Sequence, residues 1–284
     1  MYLWLFSNLG EVALLGIFVV SSWNVELYRL LALRLDQGAW LLTCLYILVI
    51  GVIHTILFLY PSYFKDYVLP KAEGLSTTGF KGWLTDHLKI TGLTWTILTV
   101  AGLLIVILAR TDAALWWIPA ALIFWLAYIL FIQMIPRLIV PLFFKVSRLS
   151  DSELSADIRA LAEQATLPLV DVRVFNMSSR SNAANAALTG LGRTRRIFLA
   201  DTLVNHFSRG EILAVTAHEM GHHARRHMVK IIFLTLLMFG VLLWFGNLFA
   251  RYYHSIKAIP PLTDASSLPV IALGFALRSL VLTP

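Results

Sequence analysis

His218 and His222 stand four residues apart in the stretch AVTAHEMGHHARRH, residues 214–227. On an α-helix that spacing sends both imidazoles out of one face, where they can hold a single metal ion, and zinc suits such a nitrogen pair. Glu219 comes directly after the first histidine and is placed to take a proton from a water whose pKa the metal has lowered. Gly221 adds no bulk beside the metal. A match of this kind also arises by chance, so the flanking residues must support it. Ser208 with Glu211 three residues later forms a capping box, with Phe207 and Ile212 at the staple positions. These signals start a helix about ten residues before His218 and put the motif in its interior. His223 and His227 form a second pair four apart. At about 100° per residue they leave the helix well away from the first pair. No acid comes after His223 in the position of Glu219, so a polar or supporting role is expected for both.

The rest of the chain must position this helix in or beside a membrane. Of 284 residues, 58% are hydrophobic and 14% charged, and the mean hydropathy is +0.76. These values describe an integral membrane protein. The net charge of +7 comes from basic residues gathered around apolar spans, as the positive-inside rule expects, so no nucleic-acid partner is expected. Cys44, the sole cysteine, lies inside an apolar run and supports neither a disulfide within the chain nor a cysteine metal site.

Apolar runs cover residues 3–20, 40–60, 90–109, 115–135 and 231–249, and a last one begins at Leu268. The first lacks a basic leader and a small-residue cleavage site, so it is expected to be retained as a span. Glu11 within it must face protein or water. A polar linker with Arg29, Arg34 and Asp36 comes next, and the second run is expected to end at Pro61. Residues 62–89 read as a loop with four lysines. The short turn containing Arg110 and Asp112 makes the next two spans an antiparallel hairpin. His54 suits an interhelical contact. The last run, reaching Leu282, is short for a full span.

Residues 143–227 form the only long stretch of water-soluble character. Ser150 and Glu153, with Leu149 and Leu154 as staple, predict a helix to about residue 165. Alternation of Val170, Val172 and Val174 with Asp171 and Arg173 predicts a half-buried strand. Residues 196–203 predict another strand ending in a turn, with Asp201 capping the next element. The metal helix is expected to continue into the membrane. Together these readings give a mainly α, polytopic transmembrane helical bundle with a small α+β zincin-like metalloprotease domain inserted between membrane helices. Residues 1–136 would carry about four spans, 137–227 the peptidase segment, and 228–284 further spans, the last one incomplete. Sixteen Lys and Arg lie on the side of the 62–89 loop and the soluble segment, against five on the other. The peptidase segment is therefore expected to face the cytoplasm.

Three stretches together resemble the integral-membrane zinc CAAX prenyl proteases. AHEMGHHARRH resembles that family's zinc helix, SSRSNAANAALTGLGRTRRIFLADTL (residues 178–203) its preceding strand motif, and GFKGWLTDHLK (residues 79–89) a weaker early motif. The resemblance covers most of the chain from about Val25. It implies a gluzincin fold, a helical bundle around a large interior chamber, one zinc ion per chain, and endoproteolysis near the C-terminus of proteins or peptides, with or without a prenylated cysteine. Asn185 and Ala186 match the family's Asn-Ala on the edge strand, which implies that a substrate binds there as an added β-strand. The competing structural reading of these small residues is a tight Ala- and Gly-rich turn. The family's third ligand, a Glu in an E-x-x-x-D motif on a later helix, has no counterpart before Pro284. Asp264 is the one acid after Glu219 and is a poor substitute, so a chain truncated before that ligand is expected.

Other readings are an intramembrane site-2 type protease, disfavoured by Arg225, Arg226 and Lys230 beside the motif; a catalytically inactive scaffold or pseudo-protease, favoured by the missing ligand; and a transporter, motivated by Glu11 and His54. The membrane is expected to be a bacterial inner membrane or the endoplasmic reticulum.

Overall fold

A computed structural model of the chain describes residues 2–34, 39–112, 114–169, 171–190, 192–225, 227–257 and 268–269. Asp264 and nearly all of the last apolar run lie outside these residues, and the side chain of Glu11 is likewise not described. The residues fall into two compact units, one of 1–65, 87–125 and 236–284, the other of 66–86 and 126–235.

The first unit is helical, and several of its helices run on along the chain into residues of the second. Helix α1 (Tyr2–Val20) is followed by α2 (Trp23–Arg34), so the expected polar linker is helix as far as Arg34; Asp36 lies outside the described residues. Ser22 takes φ +64° between them, and the two helices bend by 65°. Helix α3 (Ala39–Tyr63) carries Pro61 inside it. The expected stop at Pro61 is therefore not observed: a π-turn at Phe64–Val68 and helix α4 (Leu69–Ala72) prolong the element. Helix α5 (Phe80–Thr111) reaches well back into the expected loop, which shrinks to residues 73–79. Asp112 accepts from the N–H groups of Ala114 and Leu115 in the turn before α6 (Trp117–Met134), and the Trp116 indole donates to Asn247. His54 stacks on Phe58 and meets Trp95 edge-on. Helix α11 (His227–Lys257) carries the last described span. Four described helices are long and apolar enough to cross a membrane, five if the bent pair counts as one. Only 6–28% of each of the four apolar windows is buried in protein, as expected of surfaces made for lipid.

The second unit holds a four-stranded sheet in the order β1 (Val146–Arg148), β2 (Asp171–Phe175), β4 (Arg196–Ala200), β3 (Ala186–Thr189). β2 and β4 are parallel and the outer pairs antiparallel. β4 ends earlier than the pattern predicts because Asp201 begins a short helix, α9 (Asp201–His206). Before β1, a π-turn and helix α7 (Val140–Phe143) come after α6. Helix α8 (Ser152–Gln164) buries Leu154, Ile158 and Ala162, one stripe at a spacing of four, in the core with Val172, Ile197 and Leu199. Its cap is Asp151, whose carboxylate accepts from Leu154 N–H at 2.9 Å, not the expected Ser150 box; Glu153 instead pairs with Arg209.

Candidate metal centre and edge strand

Helix α10 (Arg209–Ala224) begins with the capping box the sequence predicts. Ser208 N–H donates to Glu211 at 2.8 Å, and the Ser208 hydroxyl and N–H hold that carboxyl below its ordinary value. Arg209 bonds Asp157 and Glu153 of α8, fixing the start of the helix. Ile212, Thr216, Met220 and His223 are its buried face. His218 and His222 leave the exposed face and Glu219 is half-buried beside them.

The His218 and His222 Nε2 atoms lie 3.2 Å apart, with ring planes at 88°. Two nitrogens bound to tetrahedral zinc at about 2.05 Å each would be about 3.3 Å apart. The separation of the pair matches that of two nitrogens sharing one zinc ion. Among the described residues no group of three His, Cys, Asp or Glu side chains is placed to hold a metal. His222 Nδ1 lies 3.0 Å from His227 Nδ1. One of the two rings carries the shared hydrogen, and a contact of this kind holds the His222 imidazole in orientation. α10 stops at Ala224 and His227 opens α11, so the apolar helix that follows the motif is a separate element that begins three residues on. His223 points the other way. Its Nε2 lies 2.9 Å from the Leu188 carbonyl, and burial is the main reason its pKa is lowered.

Ala186 begins β3, and β3 ends the sheet. Its side chain is buried in the core, whereas Asn185 is exposed and gives its carbonyl to Ala200 N–H at 2.9 Å. The chain leading to β3 is held on two sides. Asp201 accepts from the Ser178 N–H and hydroxyl, and Thr202 donates to the Ala183 carbonyl. On the other side residues 74–78 pair with 178–182: Thr77 N–H donates to Arg180 C=O at 3.1 Å and Asn182 N–H to Leu75 C=O at 2.9 Å. The Thr77, Thr78 and Ser181 hydroxyls add further bonds.

Asp86 and Arg180 close this pairing with a two-pronged ion pair at 2.6 and 2.9 Å. The early motif and the strand motif thus meet through residues ninety-four positions apart, which no local pattern signals. Arg180 also lies over the Phe144 ring. The pair walls a cleft of about 410 Å³ lined by Asp66, Ser76 and Trp83 among others. No residue of α10 lines it.

Residues 1–145 match the family model described as CAAX prenyl protease N-terminal, five membrane helices, and residues 148–277 match peptidase family M48. The chain is 34% identical over 241 residues to CAAX prenyl protease 1 of Saccharomyces cerevisiae, covering 78% of this chain and 52% of that protein. It is 30% identical to the uncharacterized metalloprotease YhfN of Bacillus subtilis, covering 84% and 57%. The crystal structure of S. mikatae Ste24p superposes with a TM-score of 0.82 at 26% identity, over 97% of this chain and 68% of that one. The chain spans about half the length of the curated relatives it matches.

Proposed function

The chain belongs to peptidase family M48, with the N-terminal region of the CAAX prenyl proteases, and we propose that it serves a membrane-embedded zinc endopeptidase. The observation that carries this reading is the 3.2 Å separation of the His218 and His222 Nε2 atoms with Glu219 beside them. His218 and His222 hold the metal, and a third ligand completes the set. When bound, zinc supplies the Lewis acidity that acidifies water and polarises a carbonyl. Glu219 takes the proton of the attacking water and returns it to the leaving amine, so the peptide bond is hydrolysed with protons balanced.

The substrate is a peptide or protein near its C-terminus, with or without a prenylated cysteine. It lies along Asn185 and Ala186 as an added strand, so backbone bonds supply affinity with little demand on sequence. The peptidase unit faces the cytoplasm, on the side richer in Lys and Arg. Elemental analysis of the detergent-purified chain, beside His218→Ala, tests the metal site. A zinc content lost in the variant supports the assignment, and equal content in both overturns it. Glu219→Gln is expected to keep the metal and abolish peptide cleavage; retained cleavage overturns the role of Glu219.

A further inference from the structure

In an antiparallel ladder, successive residues alternate between turning both backbone polar groups toward the partner strand and turning both away. The bond from Ala200 N–H to Asn185 C=O continues the β3–β4 register, in which Ala186 pairs with Leu199 and Leu188 with Ile197. Asn185, Ala187 and Thr189 therefore face β4. Ala186 and Leu188 turn their N–H and C=O toward the open edge.

The two positions are not equivalent. The Leu188 carbonyl is taken by His223 Nε2 at 2.9 Å. A carbonyl only accepts, so the imidazole donates. His223 is 6% exposed, and its donor takes the carbonyl that a partner strand would need for its rung at Leu188. Ala186 is left as the β3 residue with both backbone groups on the open edge.

We propose that His223 sets the register of the bound peptide: by closing the edge at Leu188 it leaves one complete rung, at Ala186, so that a single peptide bond is presented to His218, Glu219 and His222. This rests on the peptidase reading above and adds to it the choice of scissile bond. The device is economical in sequence, because His223 adjoins the ligand His222 and lies four residues from Glu219. One side chain thus fixes the height of the metal helix against the strand that would hold the substrate.

If the Leu188 carbonyl is freed, an added strand can pair at Ala186 or at Leu188. A slip from one rung to the other moves the peptide by about two residues and keeps every side chain on its own face. The probe is a synthetic peptide with a Cys-aliphatic-aliphatic-X C-terminus, farnesylated and unmodified, incubated with the full chain and zinc. Products are read by mass spectrometry. Wild type is expected to give one cleavage product. His223→Phe, which keeps the volume and loses the donor, is expected to give a second product in comparable yield, displaced by about two residues. His223→Gln, which can still donate, should restore the single product. His223→Asn, too short to reach Leu188, should behave as His223→Phe and serves if the phenylalanine variant does not fold.

Hydrogen exchange of the Ala186 amide is measured in parallel in a Glu219→Gln background with peptide added. If peptide protects Ala186 but His223→Phe and His223→Asn still cut at the wild-type bond alone, this inference fails and the peptidase reading stands. If wild type neither cleaves the peptide nor gains protection at Ala186, both fail together.

Discussion

Replacing Asp86 by alanine removes one half of the ion pair that joins residues 74–86 to the chain leading into β3. Two charge-assisted bonds are lost, at 2.6 and 2.9 Å. At an effective dielectric near 20 and about 4 Å between charge centres, the gross attraction is about 4 kcal/mol. The side chains of Arg180 and Asp86 are 28% and 17% exposed, so solvent takes back part of that. Exposed pairs contribute about 0.2–1 kcal/mol, and breaking a fully buried pair costs about 3–5 kcal/mol. The present pair falls between them, and Asp86→Ala is expected to destabilise the paired segments by about 2 kcal/mol, or about thirtyfold in their opening equilibrium. The backbone bonds of Thr77 and Asn182 remain, so the loss is local. The assay is hydrogen exchange of amides 75–78 and 180–182 in a double-mutant cycle with Arg180→Ala. Asp86→Arg with Arg180→Asp should recover part of the protection lost by either change. A coupling below about 0.5 kcal/mol would refute the reasoning and reduce the pair to a surface contact.

His227→Ala is expected to weaken zinc binding about 10- to 100-fold in a chelator competition, because His222 loses the Nδ1 contact that holds its ring in orientation; an unchanged affinity removes His227 from the site. Asp151→Ala should cost about 1 kcal/mol in thermal unfolding while Ser150→Ala stays near zero, and the reverse order would return the cap of α8 to Ser150. Burial alone would raise the Asp201 pKa, but the Ser178 hydroxyl and the N–H groups of Ser178, Thr202 and Met177 outweigh it, so the folded pKa is lowered. Asp201 therefore contributes stability above the unfolded value, about pH 4, and loses it as pH falls through the folded one. Asp201→Asn should destabilise at neutral pH and flatten the acid limb of a stability profile; parallel profiles would contradict this.

Some local signals in the sequence are a sufficient guide. Ser208 and Glu211 announce the start of α10, and the spans declare themselves by length and composition. Valine alternation marks β2. The failures have physical causes. Ser150 and Asp151 are both competent caps, and only the chain's approach selects between them. β1, three residues long, is too short for a periodic pattern. Pro61 disturbs only the turn before it, and it lies inside a long apolar helix that continues past it. α2 mixes polar and apolar residues without a strong stripe, so it reads as linker. Asp86 and Arg180, like His223 and Leu188, are joined by folding alone, across ninety-four and thirty-five positions.

β3 is only four residues long, and its end is abrupt. Gly190 takes φ +86°, and a Cβ there would come within 2.6 Å of the Thr194 carbonyl, so no other residue fits the turn. A strand edge in search of a partner is the usual seed of aggregation, since any neighbouring copy can extend the sheet. An edge this brief, stopped by a glycine turn and capped at Leu188 by an imidazole, offers a passing sheet too few rungs to hold on to. The same shortness leaves little open edge for a second copy of this chain to extend.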